Sequence, residues 1–277
     1  MSAAPTPRGG GLVVGLLGAG VIGRALAAQL AAGAVAGCTA GPVVTRSTGD
    51  PADLLACDVV VECAGVGSVG AVPALLAAGT DVVLCSCAAL ADHRVRAALD
   101  AVPAGAARLV VPAGAVGGLD LFRAAVRGSD DAVVELHTTK RAAAVGGGGG
   151  GPATVFTGSA REAALAFPRT ANVAVALALA TTGLEATRVR VTGDPAATST
   201  RHVLRCRSSL GEAVLDVTNT VAEGSGGRTS AVTAWSVVTV LEDLASGLAS
   251  GIRVPWGRGT AGAVGPPGAG PGVVTRS

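Results

Sequence analysis

His202 stands in the stretch GDPAATSTRHVLRCRSSLG, residues 193–211, where small polar residues meet an apolar-alternating run. The chain holds only three histidines and no tyrosine in 277 residues. Few side chains can therefore move a proton near neutrality, and an imidazole with an ordinary pKa of about 6.5 is the natural one. Pro195 and the small residues after it read as a loop, so His202 sits where that loop enters a strand. Such a position can present an acid/base group to a cleft. It can equally hold a partly buried histidine bonded to backbone. His93, in ADHRVRAAL, reads as a solvated residue at a helix start, and His137 alternates within VVELHTTKR.

A second constellation lies near the N-terminus. GLLGAGVIG carries Gly18, Gly20 and Gly23 in GxGxxG spacing, after an apolar run and before a helical pattern. In that context the first glycine permits a tight turn, the second lets backbone approach a pyrophosphate, and the third lets helix and strand pack closely. Free N–H groups at the helix start, from Val21 and Ile22 onward, face the phosphates. Ala64, just past the third apolar run, is expected beside the same dinucleotide. An NAD site usually has an acid at the end of the second strand. Here VVTRS ends in Thr45, Arg46 and Ser47. Arg46 suits a 2′-phosphate, with the two hydroxyls as further donors, so NADP is the expected cofactor and NAD the alternative.

These residues need a scaffold to hold them. Runs at 12–17, 42–47, 58–65, 81–86 and 107–114 read as strands alternating with helical segments, the pattern of a doubly wound parallel sheet. After about Gly117 the pattern shifts to strands with one solvated face, read as antiparallel, around a helix that begins at NVAVALALA. The expected organisation is a flexible N-terminus at 1–11, a Rossmann domain at 12–112 and an α+β substrate and dimerisation domain at 113–228. A C-terminal helix at 229–250 returns to the first domain, and a disordered Gly/Pro-rich tail follows at 251–277. Six glycines at 146–151 read as a flexible loop.

Composition narrows the function classes. Hydrophobic residues make up 49% and aromatics 2%, so a core can form but bases find few stacking platforms. Net charge is +2 with acids and bases interspersed, which argues against nucleic-acid or membrane partners. The six cysteines form no CxxC pair and no metal-ligand spacing, so reduced thiols, no metal and a cytoplasmic location are expected.

Several stretches together resemble the L-aspartate dehydrogenase family: GLLGAGVIGRALA, VVVECA, PAGAVGGLD, HTTKRAAA, FTGSAREAALAFPRTANVAVALALA and RVRVTGDPAATSTRHVL. They run from about Leu12 to Leu248. The resemblance implies a Rossmann domain followed by an α/β domain whose sheet forms a homodimer interface. It implies oxidation of L-aspartate with NAD or NADP to iminosuccinate, which hydrolyses to oxaloacetate and ammonia or enters NAD biosynthesis. It places the catalytic histidine on His202 and nicotinamide-side contacts on Ala115 and Asn172. Three positions depart from the family pattern: Thr200 stands for Asn, Ala113 for Ser, and GGRTS at 226–230 for NPKTS. A dicarboxylate substrate needs cations, and Lys140 and Arg228 are the expected ones, with Thr200 beside them. Strand alternation should turn Arg201 and Arg141 away if His202 and Lys140 face the cleft. A related amino acid dehydrogenase or imine reductase, and a catalytically silent NADP-binding protein, are the competing readings.

Overall fold

The computed structural model describes residues 11–147, 150–248 and 251–253. The first part alternates β1 (Leu12–Leu17), α1 (Val21–Ala31), β2 (Cys38–Val44), β3 (Val59–Glu62), α2 (Val72–Ala77), β4 (Asp81–Leu84), α3 (His93–Asp100) and β5 (Leu109–Val111). The five strands pair in parallel in the order β5-β4-β3-β1-β2. β1 lies between β2 and β3, so the chain leaves it in opposite directions. The resulting crevice at the carboxyl ends is where open α/β sheets bind ligands.

Burial on both faces explains the unbroken apolar runs. Val59 and Val61 of β3 pack with Leu26 and Leu30 of α1, whereas Val60 between them packs with Leu54, Leu76 and Leu84 on the other side. β2 forms the edge, which accommodates Pro42 and its missing N–H.

The second part runs α4 (Leu119–Arg127), β6 (Val133–Arg141), β7 (Ala153–Ser159), α5 (Ala160–Ala166), α6 (Asn172–Ala180), α7 (Gly183–Ala186), β8 (Arg188–Asp194), β9 (Ser199–Ser208) and β10 (Gly211–Thr220). Its strands form a second sheet in the order β10-β9-β6-β8-β7. β6 and β8 run parallel, so the sheet is mixed, not antiparallel as the alternation suggested. Alternation reports that one face is buried and is blind to strand direction. The helix α4, the strands β7 and β8 and the helix α5 do not emerge from the sequence reading. Each is short, and β8 draws its partner from β6 across more than forty residues. Val134, Leu136, Leu204 and Cys206 turn inward against Phe122, Ala163 and Leu177 of the helices. The outward face carries charged pairs instead, including Arg201–Asp216 and Arg207–Glu135.

The helix α8 (Val232–Ala245) returns to the first sheet. Val237 and Leu241 pack with Val14 and Leu26, and the Glu242 carboxylate accepts from the Ala36 N–H at 3.2 Å. A buried 3₁₀ turn after β4, Cys87–Ala91, joins the two halves. Arg161 of α5 donates to the Ala91 carbonyl and pairs with Glu185.

The tail expectation needs correction at its start. Ile252 and Arg253 form β11, antiparallel to β5 opposite Val111 and Val110. Ile252 packs against the clusters on both sides of the junction, so its apolar side chain finds a site that composition alone does not reveal. Residues 1–10 and 254–277 of the expected flexible ends, and Gly148 and Gly149 of the glycine run, lie outside the described residues. No helix among the described residues is long and apolar enough to cross a membrane.

A chain ending at Gly251 should therefore melt lower than one ending at Arg253. The lost strand and apolar contact are worth about 1–2 kcal/mol, or about 2–8 °C at this size. Calorimetry on the two chains checks this, and equal melting temperatures would deny Ile252 its packing role.

Candidate functional site

The turn from β1 into α1 is shaped by what its glycines exclude. Gly18 has φ +118°, and a Cβ there would lie 2.7 Å from the Ala64 nitrogen. A Cβ on Gly23 would come within 2.1 Å of the Gly18 carbonyl oxygen, so the helix seats directly on the turn. A Cβ on Gly20 would meet nothing closer than the Cys63 carbonyl at 3.8 Å, leaving a backbone-lined hollow above it. No side chain caps α1. Its first-turn N–H groups, from Val21 and Ile22, therefore stay available, at the positive end of the helix dipole. The hollow, the free donors and the missing side chains fit a dinucleotide pyrophosphate.

The rim after β2 is polar. Thr45 Oγ1 accepts from the Ser47 and Thr48 N–H groups at 3.2 and 3.1 Å, which folds the loop on itself. Arg46 and Ser47 are exposed there. Among the described residues no ion pair engages Arg46.

Glu62 ends β3 and is fully buried. Its carboxylate accepts from the Ala64 and Gly65 N–H groups at 2.9 and 3.1 Å and from the Ser68 hydroxyl at 2.6 Å. It also accepts from the Ser86 N–H at 3.0 Å and the Ser86 hydroxyl at 3.1 Å. This satisfied buried charge ties the loop after β3 to the loop after β4. The sequence reading missed it, although an acid closing the run VVVE was a visible signal.

Next to this cradle a cleft opens between the two sheets. It gathers Ile22, Ala115, Lys140, Asn172, His202 and Arg228 from the expected residues. Ala113, Arg169 and Thr170 join them, of which Arg169 and Thr170 were not expected. Among the described lining residues there is no carboxylate, so its charge is wholly positive.

Each polar side chain is held from behind. His202 lies on β9 opposite Thr138 of β6, and Thr138 Oγ1 shares a 2.9 Å hydrogen bond with His202 Nδ1. That leaves Nε2 for the cleft. Asn172 opens α6, and its Oδ1 accepts from the Ala88 N–H at 2.9 Å, so the amide nitrogen is left as a donor. Asn219 of β10 donates through Nδ2 to the Ala115 carbonyl at 2.7 Å and fixes the loop after β5. Lys140 is 5% exposed and donates to the Thr170 carbonyl at 3.3 Å.

Burial sets the electrostatics. It pushes the Lys140 ammonium down to about 8. His202 is pushed down to about 3, first by burial and then by the Lys140 charge. Both effects disfavour the charged ring, so its titration lies on the acid side of the near-neutral value expected from residue type.

The remaining residues fall elsewhere. Thr200 is buried opposite Asn219 on β10 and does not line the cleft. It shares the inward face with His202, two residues before it on β9. Arg201 points outward to Asp216, at 2.5 Å, and Arg141 is exposed. His137 shares a 2.8 Å hydrogen bond with Thr192 Oγ1 on the outer face of the sheet, and His93 is exposed at the start of α3.

A family model described as "Aspartate dehydrogenase, C-terminal" matches residues 120–244. L-aspartate dehydrogenase 2 of Bordetella pertussis is 41% identical over 196 residues, covering 66% of this chain and 73% of that protein. L-aspartate dehydrogenase 1 of the same organism is 37% identical over 223 residues, covering 73% and 84%. Among solved structures, aspartate dehydrogenase from Thermotoga maritima superimposes with a TM-score of 0.65 at 26% identity, covering 87% of this chain and 99% of that one.

Changing Gly23→Ala should force the helix off the turn. An overpacked contact against backbone costs about 1–3 kcal/mol of stability, and dinucleotide affinity should fall with it. Thermal unfolding and a fluorescence titration with NADPH read the two effects. Unchanged values in both would mean that the close seating of α1 does not matter.

Proposed function

Because the chain belongs to the L-aspartate dehydrogenase family, we propose that it oxidises L-aspartate with a nicotinamide dinucleotide. The observation that carries this reading is the all-cationic cleft, with a neutral histidine at its wall and a dinucleotide cradle beside it. A substrate with two carboxylates matches Lys140 in the depth and Arg228 and Arg169 nearer the solvent. Lys140 is short of partners, since an ammonium this buried normally pairs with an anion. A substrate carboxylate supplies one.

The reaction removes a proton from the substrate nitrogen and a hydride from Cα, leaving iminosuccinate. His202 Nε2 accepts the proton, while Thr138 holds Nδ1 and so fixes the ring plane. Gly18–Gly23 would hold the pyrophosphate of a dinucleotide with Ala64 beside it, and Ala115 and Asn172 would flank its nicotinamide end; when bound, the dinucleotide would supply the hydride acceptor. The Asn172 amide nitrogen, aimed by the Ala88 N–H, donates on that side. Lys140 and the arginines orient the carbon chain so that Cα faces the nicotinamide. Water attack on the imine then yields oxaloacetate and ammonia.

NADP is the preferred dinucleotide in this reading, through Arg46 and the hydroxyls of Thr45 and Ser47; NAD is the alternative. A homodimer is part of it as well, formed on the outward face of the second sheet, where Val214 stands exposed.

A spectrophotometric screen of amino acids with each dinucleotide tests the function directly, and a protein that binds NADPH yet reduces nothing with aspartate contradicts it. His202→Ala should lower turnover by about 10²–10⁴ with little effect on dinucleotide binding. Near wild-type turnover in a folded mutant would place the proton elsewhere.

Arg46→Ala should reduce NADPH preference about tenfold or more, given about 1.5–3 kcal/mol for a charge-assisted hydrogen bond. A wild type that favours NADH refutes the 2′-phosphate role.

The pH dependence has a stated sign. Lys140 carries its charge below about 8 and loses it above. KM for aspartate should therefore rise on the alkaline side of that value, and a flat KM across it would exclude Lys140 as the carboxylate partner.

A further inference from the structure

His202 and Lys140 are both almost wholly buried, at 1% and 5% exposure. They stand on neighbouring strands and face the same way. Thr138 is the residue paired with His202 across the β6–β9 ladder, and Lys140 follows it by two positions. The charged and titratable groups around them are few. Arg169 precedes α6, Arg228 precedes α8, and the Cys85 and Cys87 thiols follow β4, where burial raises both and keeps them neutral. From the side of β10 the nearby residues are Val217 and Asn219, which carry no charge. Every formal charge that faces His202 is therefore positive.

That arrangement conflicts with the chemistry asked of the ring. An imidazole that holds a proton only below about 3 is a weak base. The substrate amine is much the stronger base, so the transfer to a ring so placed is uphill. Something must change when substrate enters, and the group placed to change it is Lys140.

We propose that the substrate helps to switch on its own base: one of its carboxylates pairs with the Lys140 ammonium and cancels the like charge that stands beside His202 on the same face of the sheet. The carboxylate does two things at once. It ends the repulsion between Lys140 and a protonated ring, and it brings a negative charge into a cleft that has none. An opposite charge at about 4–6 Å raises the proton affinity of a basic group tenfold to a thousandfold, by about 1–3 pK units. Once a dianion docks, the ring is a stronger base than it is beside the unpaired ammonium. Selectivity follows, because a molecule without a carboxylate at Lys140 meets a weaker base. This inference rests on the reading of the cleft as an L-aspartate site.

The test follows the ring itself and does not depend on turnover. Imidazole signals of the full-length protein are observed by nuclear magnetic resonance, with His202 assigned by its loss in His202→Gln. The pH is lowered to the onset of acid unfolding for the protein alone, with succinate, and with succinamide. Succinate carries two carboxylates and no amino group, so it binds without reacting; succinamide has the same carbon chain without charge.

The ring should stay neutral alone and with succinamide, and take up a proton at higher pH with succinate. In Lys140→Met the titration should be the same with and without succinate, whereas Lys140→Arg should restore the dependence. Succinate that binds, seen from other cleft signals, without moving His202 overturns the switch and leaves the aspartate reading standing. Succinate that does not bind overturns both. Should Lys140→Met fail to fold, the wild-type titrations decide alone.

Discussion

The carboxylate of Glu62 sits at the carboxyl end of the first sheet with no exposure to solvent, and five hydrogen bonds converge on it. A buried charge is tolerated only when its acceptor capacity is met. Here that requirement dictates the path of two loops. Ala64 and Gly65 must turn their N–H groups inward, which places Ala64 against Gly18 and closes one wall of the dinucleotide cradle. Ser86 must approach from β4, which starts the 3₁₀ turn Cys87–Ala91 at a defined point. That turn offers the Ala88 N–H to Asn172, and the Cys87 thiol donates to the Asn172 carbonyl at 3.2 Å. Removing the carboxylate would leave several buried donors unmet, each worth about 1–3 kcal/mol.

From Asn172 the constraint reaches the second sheet within a few residues. The Thr170 and Ala171 N–H groups both donate to the Phe167 carbonyl, folding the segment before α6 into a tight turn. The turn brings the Thr170 carbonyl to Lys140 and carries Arg169 to the cleft. One hydrogen-bonded path thus runs from the dinucleotide cradle to the cation beside His202. Cofactor side and substrate side are registered to each other by short polar contacts and not by apolar packing alone.

Lys140 and Glu62 show opposite solutions to burying a charge. Glu62 is satisfied by the protein itself and serves as a structural knot. Lys140 has a single 3.3 Å hydrogen bond to a carbonyl and no acidic neighbour in the cleft. A protein selected for stability alone would give it a carboxylate or remove it. Leaving it short of partners stores an affinity for an anion in the place where the chemistry happens. Burial first, and then the same field, disfavour a charge on His202.

The sequence by itself determined the parts whose signal is local. The glycines at 18, 20 and 23 follow from steric rules of turns and helix starts, and the buried strands from their unbroken apolar runs. Strand parity turned His202 and Lys140 one way and Arg201 and Arg141 the other, because the pleat alternates with period 2. Tertiary structure alone decided what depends on partners far along the chain. The direction of β8 against β6, the strand at Ile252, the convergence on Glu62 and the pairing of Thr200 with Asn219 all arise from contacts between distant segments. So does the proton affinity of His202. Its ordinary value belongs to the residue type, but the shift comes from burial and from an ammonium 62 residues earlier in the chain, and no local pattern encodes either.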